Sequence, residues 1–226
     1  MTDGHSPLSE RDLENQILVD LLRSPGLVLA CFSPQNIDRF VTFYRATRRA
    51  GRRFIGDAYL ANILRRLNLR SLPQPSAVNL RIYLASRQKM QIVRQRAFEL
   101  MEPLRATRIY PEEICKSPAS WVMLFRDSMA ADIDKMKNLR ETRLIYSMWA
   151  GYLDHDTSRL MSWCQHKDVI LIHRHTSGHA DPTLLRRFAT ALAPEHIVPI
   201  HTAVPHRYIE HFENVKHCAN GEWHGV

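Results

Sequence analysis

The sequence predicts an α/β protein in which a mostly parallel sheet is flanked by helices. Short continuous apolar runs such as LVLACF, Leu27–Phe32, have the composition of strands buried on both faces. Amphipathic stretches of helical period lie between those runs, and the two alternate along the chain. With 226 residues, 45% of them hydrophobic and 24% charged, there is material for one large domain or two small ones, each with a real core.

Ser9 followed by Asp12 is a capping-box variant, which opens a helix through Ile17, Leu21 and Leu22 that Gly26 ends. After the Leu27–Phe32 strand, a helix from about Gln35 to Arg49 places Ile37, Phe40, Val41 and Tyr44 on one face, and Gly51 stops it. Arg52–Gly56 reads as a strand and Asp57–Leu67 as a helix. Asn79–Leu84 is the next strand, and Ser86–Met101 a helix with Met90, Val93, Ala97 and Met101 inward. Trp121–Phe125 and Leu144–Met148 are strands separated by a polar, helix-prone stretch. Asp168–His175, a helix Pro182–Leu192 with Leu184, Leu185, Phe188 and Leu192 as its buried stripe, and a strand His196–His201 make a βαβ unit. Asn220-Gly221 is a type I′ hairpin signal between Val215–Cys218 and Glu222–Val226.

Composition narrows the function classes. The polar start, Met1 to Asp12, predicts no signal peptide, and no segment is apolar enough to cross a membrane. Four scattered cysteines (Cys31, Cys115, Cys164, Cys218) read as reduced thiols of a cytoplasmic protein. The net charge of +8 rests on arginine: Arg45, Arg48, Arg49, Arg52 and Arg53, then Arg65, Arg66 and Arg70, then Arg81, Arg87, Arg94 and Arg96. Such a surface attracts a phosphate backbone without reading its sequence, or is simply a set of solvated helix faces.

The chemistry concentrates between His173 and His201. His173 and His175 alternate on a strand and so share a face. Thr176, Ser177 and Gly178 turn out of that strand, and Asp181-Pro182 opens a helix. Ligands of open α/β sheets bind beyond the carboxyl ends of the strands, where His175, Ser177, His179 and His201 fall. Backbone N–H groups at the turn and helix start suit an anion, and imidazoles suit zinc or proton transfer. Together they suit metal-assisted cleavage of a phosphate ester. His173, inside the strand, reads as a surface residue or a satisfied hydrogen-bond partner. His206, His211, His217 and His224 read as surface residues, and Asp154-His155-Asp156 as a polar loop.

At H-T-S-G-H-A, a helix, and then P-I-H-T, the sequence resembles the C-terminal part of the β-CASP group of metallo-β-lactamase-fold hydrolases, the ribonuclease J branch in particular. F-S-P-Q-N-I-D-R (32–39), A-G-R-R-F-I-G-D-A-Y (50–59), S-M-A-A-D-I (128–133) and I-Y-S-M-W-A-G-Y (145–152) resemble bacterial metallo-hydrolases of the same fold. The resemblance implies an N-terminal helix over 1–26, a β-CASP-like α/β domain over 27–165 and the C-terminal part of a metallo-β-lactamase domain over 166–226. It implies that His179 is catalytic, assisting charge stabilisation or proton transfer, that His175 and Ser177 hold a substrate phosphate, and that His201 is a metal ligand. It further implies zinc or manganese as cofactor, RNA or DNA as substrate, and a homodimer.

The family's H-x-H-x-D-H motif is absent, since Thr176-Ser177-Gly178-His179 follows His173-x-His175. The expectation is therefore a nuclease-like hydrolase that needs an N-terminal metallo-β-lactamase half, from a longer form or a companion chain. The alternative is a non-catalytic nucleic-acid or phosphate-binding module. A third reading is a self-contained zinc site of His175, His179 and His201.

Overall fold

The computed structural model describes residues 8–76, 78–156, 159–176, 182–200, 202, 204–219 and 221, with only the backbone of 154–156 and 182. Contacts divide the chain into a unit spanning Leu8–Ser177 and a second built on Gly178–Val226.

Seven strands make one parallel sheet in the first unit: β1 (Val28–Cys31), β2 (Arg53–Asp57), β3 (Leu80–Tyr83), β4 (Arg108–Ile109), β5 (Trp121–Phe125), β6 (Arg143–Tyr146) and β7 (Ile170–His173). Their order across the sheet is β4-β3-β2-β5-β1-β6-β7. All of the strand pairings are parallel, as expected for strands linked by helical crossovers. The fold is thus α/β, and β1 and β5, in the middle, are buried along their whole length.

Alternation along each strand builds two cores. Val28, Ala30, Phe54, Leu80, Ile82, Val122, Leu124 and Ile145 face one layer. That layer contains α1 (Glu10–Leu22), α2 (Ile37–Arg49) and α3 (Ala58–Leu67), through Leu13, Ile17, Phe40, Phe43, Leu60 and Leu64. Leu29, Cys31, Ile55, Met123, Phe125, Leu144 and Tyr146 face the other. There Ile114, Ile133 and Cys164 come from α5 (Pro111–Lys116), α6 (Ala130–Asp134) and α8 (Leu160–His166).

Local signals set most boundaries. Ser9 caps α1 through Asp12 N, and Asp12 returns a bond to Ser9 N, which is the expected capping box. Asn36 and Asp57 cap α2 and α3 by accepting from Arg39 N and Leu60 N, without a return bond. Gly51 sits at φ +71°, the left-handed turn that stops α2. Gly26 has another role than the helix stop: α1 ends at Leu22, and a Cβ on Gly26 would lie 2.6 Å from the Arg140 carbonyl oxygen. The end of α1 is held by Arg52, whose guanidinium donates to the carbonyls of Leu21, Ser24 and Gly26.

Three expectations are corrected. The helix expected to reach Met101 stops at Gln95, making α4 (Ser86–Gln95), and two 3₁₀ turns follow, Phe98–Leu100 and Glu102–Thr107. Its residues Met90 and Val93 are 66% and 61% exposed, and Ile92 packs against the core in their place, as does Met101 beyond the helix end that Arg96 marks at φ 54°. Asp154–Asp156 lie in a short helix, α7 (Gly151–Asp156), rather than a loop.

In the second unit, α9 (Pro182–Leu192) has the expected bounds, but Leu184, Phe188 and Leu192 are 50–64% exposed. The expected βαβ closure is also absent. Among the described residues of 196–200 there is no strand, only an isolated parallel bridge of Ile197 with Val215. The second half of the expected hairpin, 222–226, lies outside the described residues.

No helix among the described residues is long and apolar enough to cross a membrane. All four cysteines are free thiols. Burial pushes Cys31 up to about 12 and Cys164 up to about 11, so both behave as inert core residues.

Candidate functional site

The carboxyl edge of the sheet carries two polar assemblies on opposite sides of β1. The connections make this edge the place to look: β1 leads through α2 towards β2, whereas β6 leads through α7 and α8 towards β7. Crevices in open α/β sheets form where such connections diverge.

The first assembly centres on Arg39, on the inner face of α2 and only 1% exposed. One terminal nitrogen, Nη1, donates to the Ser147 carbonyl at 3.0 Å and to Ser147 Oγ at 2.6 Å, just past β6, and touches His175 Nδ1 at 3.2 Å. The other, Nη2, donates to Glu10 Oε1 and to the Thr176 carbonyl, both at 3.0 Å. Thr42 Oγ1 donates to the second Glu10 oxygen at 2.7 Å, and Thr176 Oγ1 to the Leu8 carbonyl at 2.6 Å. Arg174 pairs with Asp20 at 2.7 Å. A buried arginine thereby ties α1, α2, β6 and the segment leaving β7 together.

This arrangement defines the state of His175. Its burial, and then the Arg39 cation beside it, hold its pKa below the ordinary histidine value. The ring lies between this guanidinium and the Ser147 backbone, which it also bonds. His173 stacks near it, with ring centroids 6.1 Å apart, which bears out the shared face. His173 Nε2 contacts the Met148 carbonyl at 3.0 Å, the bonded role expected of it.

The second assembly lies at the ends of β2 and β5. Asp57, fully buried, accepts from Leu60 N through Oδ1, and from Gln88 Nε2 and the Arg126 guanidinium through Oδ2. Burial raises the Asp57 pKa, and Arg126 opposes that. Arg126 also lies over the Tyr59 ring, 5.8 Å from its centroid. Neither arginine was legible as special from sequence. Arg39 looked like one polar position on an amphipathic helix, and Asp57 like the first residue of a helix.

Of the residues singled out by sequence, His175 is the one within the described part. Ser177, His179 and His201 lie outside the described residues, as does His224. His206 and His217 are exposed and His211 is half-buried. Among the described residues no cluster of three or more His, Cys, Asp or Glu could hold a metal.

The basic surface is more selective than its composition. Arg52 and Arg81 are spent on carbonyls, Arg53 stacks on Trp121 at 4.0 Å, and Arg49 pairs with Glu14 at 2.7 Å. Arg45, Arg48 and Arg70, together with Arg49, line a groove of about 620 Å³ between the end of α2 and the segment after α3.

No sequence family and no curated protein matches the chain. It is similar in fold to the crystal structure of a protein of unknown function from Enterococcus faecalis V583, with a TM-score of 0.66 and 22% identity. The match covers 96% of this chain and 46% of that one, so the chain spans under half the length of its structural neighbour.

Proposed function

We propose that this chain is the phosphate-holding part of a metal-dependent phosphodiester hydrolase of the metallo-β-lactamase/β-CASP group, acting on RNA or DNA in the cytoplasm. The observation that carries the proposal is the Arg39 assembly. It fixes the strand exit leading into the His-Thr-Ser-Gly-His segment and holds His175 against a buried guanidinium. An imidazole beside a buried cation suits a phosphate oxygen better than a metal ion. Ser177 and His179 follow in the same segment, as a second phosphate contact and as the catalytic histidine. The arginine groove between α2 and the segment after α3 adds a sequence-blind contact for a phosphate backbone.

The described residues do not fit a resident metal. His175 turns Nδ1 to a guanidinium that would repel a cation, and no cluster of candidate ligands surrounds it. No step is therefore routed through zinc or manganese in this chain. In this reading the metal belongs to the complete enzyme, in which His201 is the ligand this chain offers and an N-terminal metallo-β-lactamase half brings the others. The exposed Phe188 and Leu192 of α9 support such a companion, or a homodimer.

The test uses fluorescent single-stranded RNA and DNA, titrated at about 50 and 200 mM salt, where counterion release makes phosphate contacts visible. Binding should weaken steeply with salt and weaken further in His175→Ala. Cleavage should appear only when the N-terminal half and a divalent metal are added. Binding without cleavage in every combination leaves the non-catalytic module. No binding at low salt removes both.

A further inference from the structure

Between α3, α4 and the loop after β5 lies a cavity of about 190 Å³ that the reading above does not use. Tyr59, Arg87, Gln88, Gln91, Arg126 and Ser128 supply its polar lining, and no carboxylate lines it. We propose that it is a binding site for a small phosphate monoester or inorganic phosphate, distinct from the His175 site.

Donors dominate the lining. Arg87 and Arg126 are cations, and Asp57, bonded to Arg126 from beneath, offsets one of them. The Tyr59 hydroxyl accepts from Gln35 Nε2 at 2.8 Å and so keeps its own proton to give. Two polar atoms at this place are buried without a partner, Arg126 Nε and Gln88 Oε1. Buried polar atoms are nearly always bonded, so an unsatisfied donor and acceptor on two side chains that line one cavity point to a guest.

The orientation of Gln88 narrows the guest. Its Nε2 donates to Asp57 at 2.9 Å, and a carboxylate only accepts, so Oε1 is the atom left without a partner. The guest must therefore offer oxygens to the guanidinium donors and one O–H to Gln88. A phosphate monoester, with a second pKa of about 6, retains such a P–OH in part of its population near neutral pH. A carboxylate does not, and a diester has none. The local charge of two arginines less one aspartate suits a monoanion, and the volume holds about six waters, enough for a phosphate head with a small substituent. The position, beyond the carboxyl ends of neighbouring β2 and β5, is one where α/β sheets bind ligands.

The experiment is calorimetric titration, with thermal unfolding alongside, of the whole chain with inorganic phosphate, ribose 5-phosphate, acetate and dimethyl phosphate. Sodium chloride at matched ionic strength is the baseline. Phosphate and ribose 5-phosphate should bind and raise Tm, and acetate and dimethyl phosphate should bind at least about tenfold more weakly. Binding of phosphate alone assigns the site to the free ion, and equal or tighter binding of ribose 5-phosphate to the monoester.

Arg126→Lys keeps the pair with Asp57 but removes the guanidinium. It and the surface change Arg87→Ala should each weaken phosphate about tenfold or more. Arg105→Ala, at an exposed arginine outside both the cavity and the arginine groove, should leave it unchanged, which separates the site from general basic charge. Equal binding of acetate, no binding above chloride, or insensitivity to both Arg87→Ala and Arg126→Lys would each overturn the proposal.

Discussion

Arg39 and Arg126 sit on opposite sides of β1 at the same edge of one sheet, and they are used in opposite ways. Arg39 is 1% exposed and both its terminal nitrogens are engaged, by Ser147, His175, Glu10 and Thr176. The Arg126 side chain is 32% exposed and has one ion-pair partner, Asp57, leaving donors towards a cavity. A guanidinium holds five N–H groups in a rigid fork. Both arginines leave Nε buried without a partner. With both terminal nitrogens taken by several elements, the guanidinium is a fastener. With a terminal nitrogen free beside a cavity, it is a receptor. Engagement of the terminal nitrogens, together with burial, separates these two arginines.

The contrast breaks most readily at Arg39. Arg39→Met should lower the unfolding free energy by about 3 kcal/mol, because it leaves buried carbonyls of Ser147 and Thr176 and the Glu10 carboxylate unpaired. Urea denaturation measures this, and a loss under about 1 kcal/mol would show that Arg39 does not fasten the edge.

One step removed, Ser9→Ala deletes the cap of the helix that presents Glu10 to Arg39. The expected cost is about 1 kcal/mol in the same assay. An Asp or Thr at position 9 should restore most of it.

The smallest effect is a pH slope. His175 has a folded pKa lowered from 6.5, so below 6.5 the unfolded chain takes the proton first. The stability His175 contributes is intact above that value and is lost as pH falls through the folded pKa. Urea midpoints measured across this window should decline on acidification. The decline attributable to His175 should be shallower in Arg39→Met, since the guanidinium is one cause of the shift, and absent in His175→Ala. A slope unchanged in both variants would mean that His175 does not titrate in this window.

The second unit teaches a different lesson from the first. In Leu8–Ser177 the apolar runs LVLACF and WVMLF became fully buried central strands. Their continuous hydrophobicity can be satisfied only with both faces covered. In the unit built on Gly178–Val226 the same kind of reading gives the bounds of α9 to the residue, yet of its expected stripe only Leu185 is half-buried, while Leu184, Phe188 and Leu192 are exposed. Period 3.6 specifies a helix with an apolar face, but says nothing of whether the chain itself supplies the surface to cover that face.

By itself, the sequence determined the fold class, the strands β1 and β5, the caps at Ser9 and Gly51 and the shared face of His173 and His175. Each of these depends on the residues and their near neighbours in the chain. Only the tertiary structure decided that Arg39 meets Ser147 and His175, 108 and 136 residues away, and that Asp57 meets Arg126. It also decided that Arg52 closes the end of α1. Strand order and crossovers set those meetings, and a single sequence records which residues are polar but not which distant carbonyl each will find.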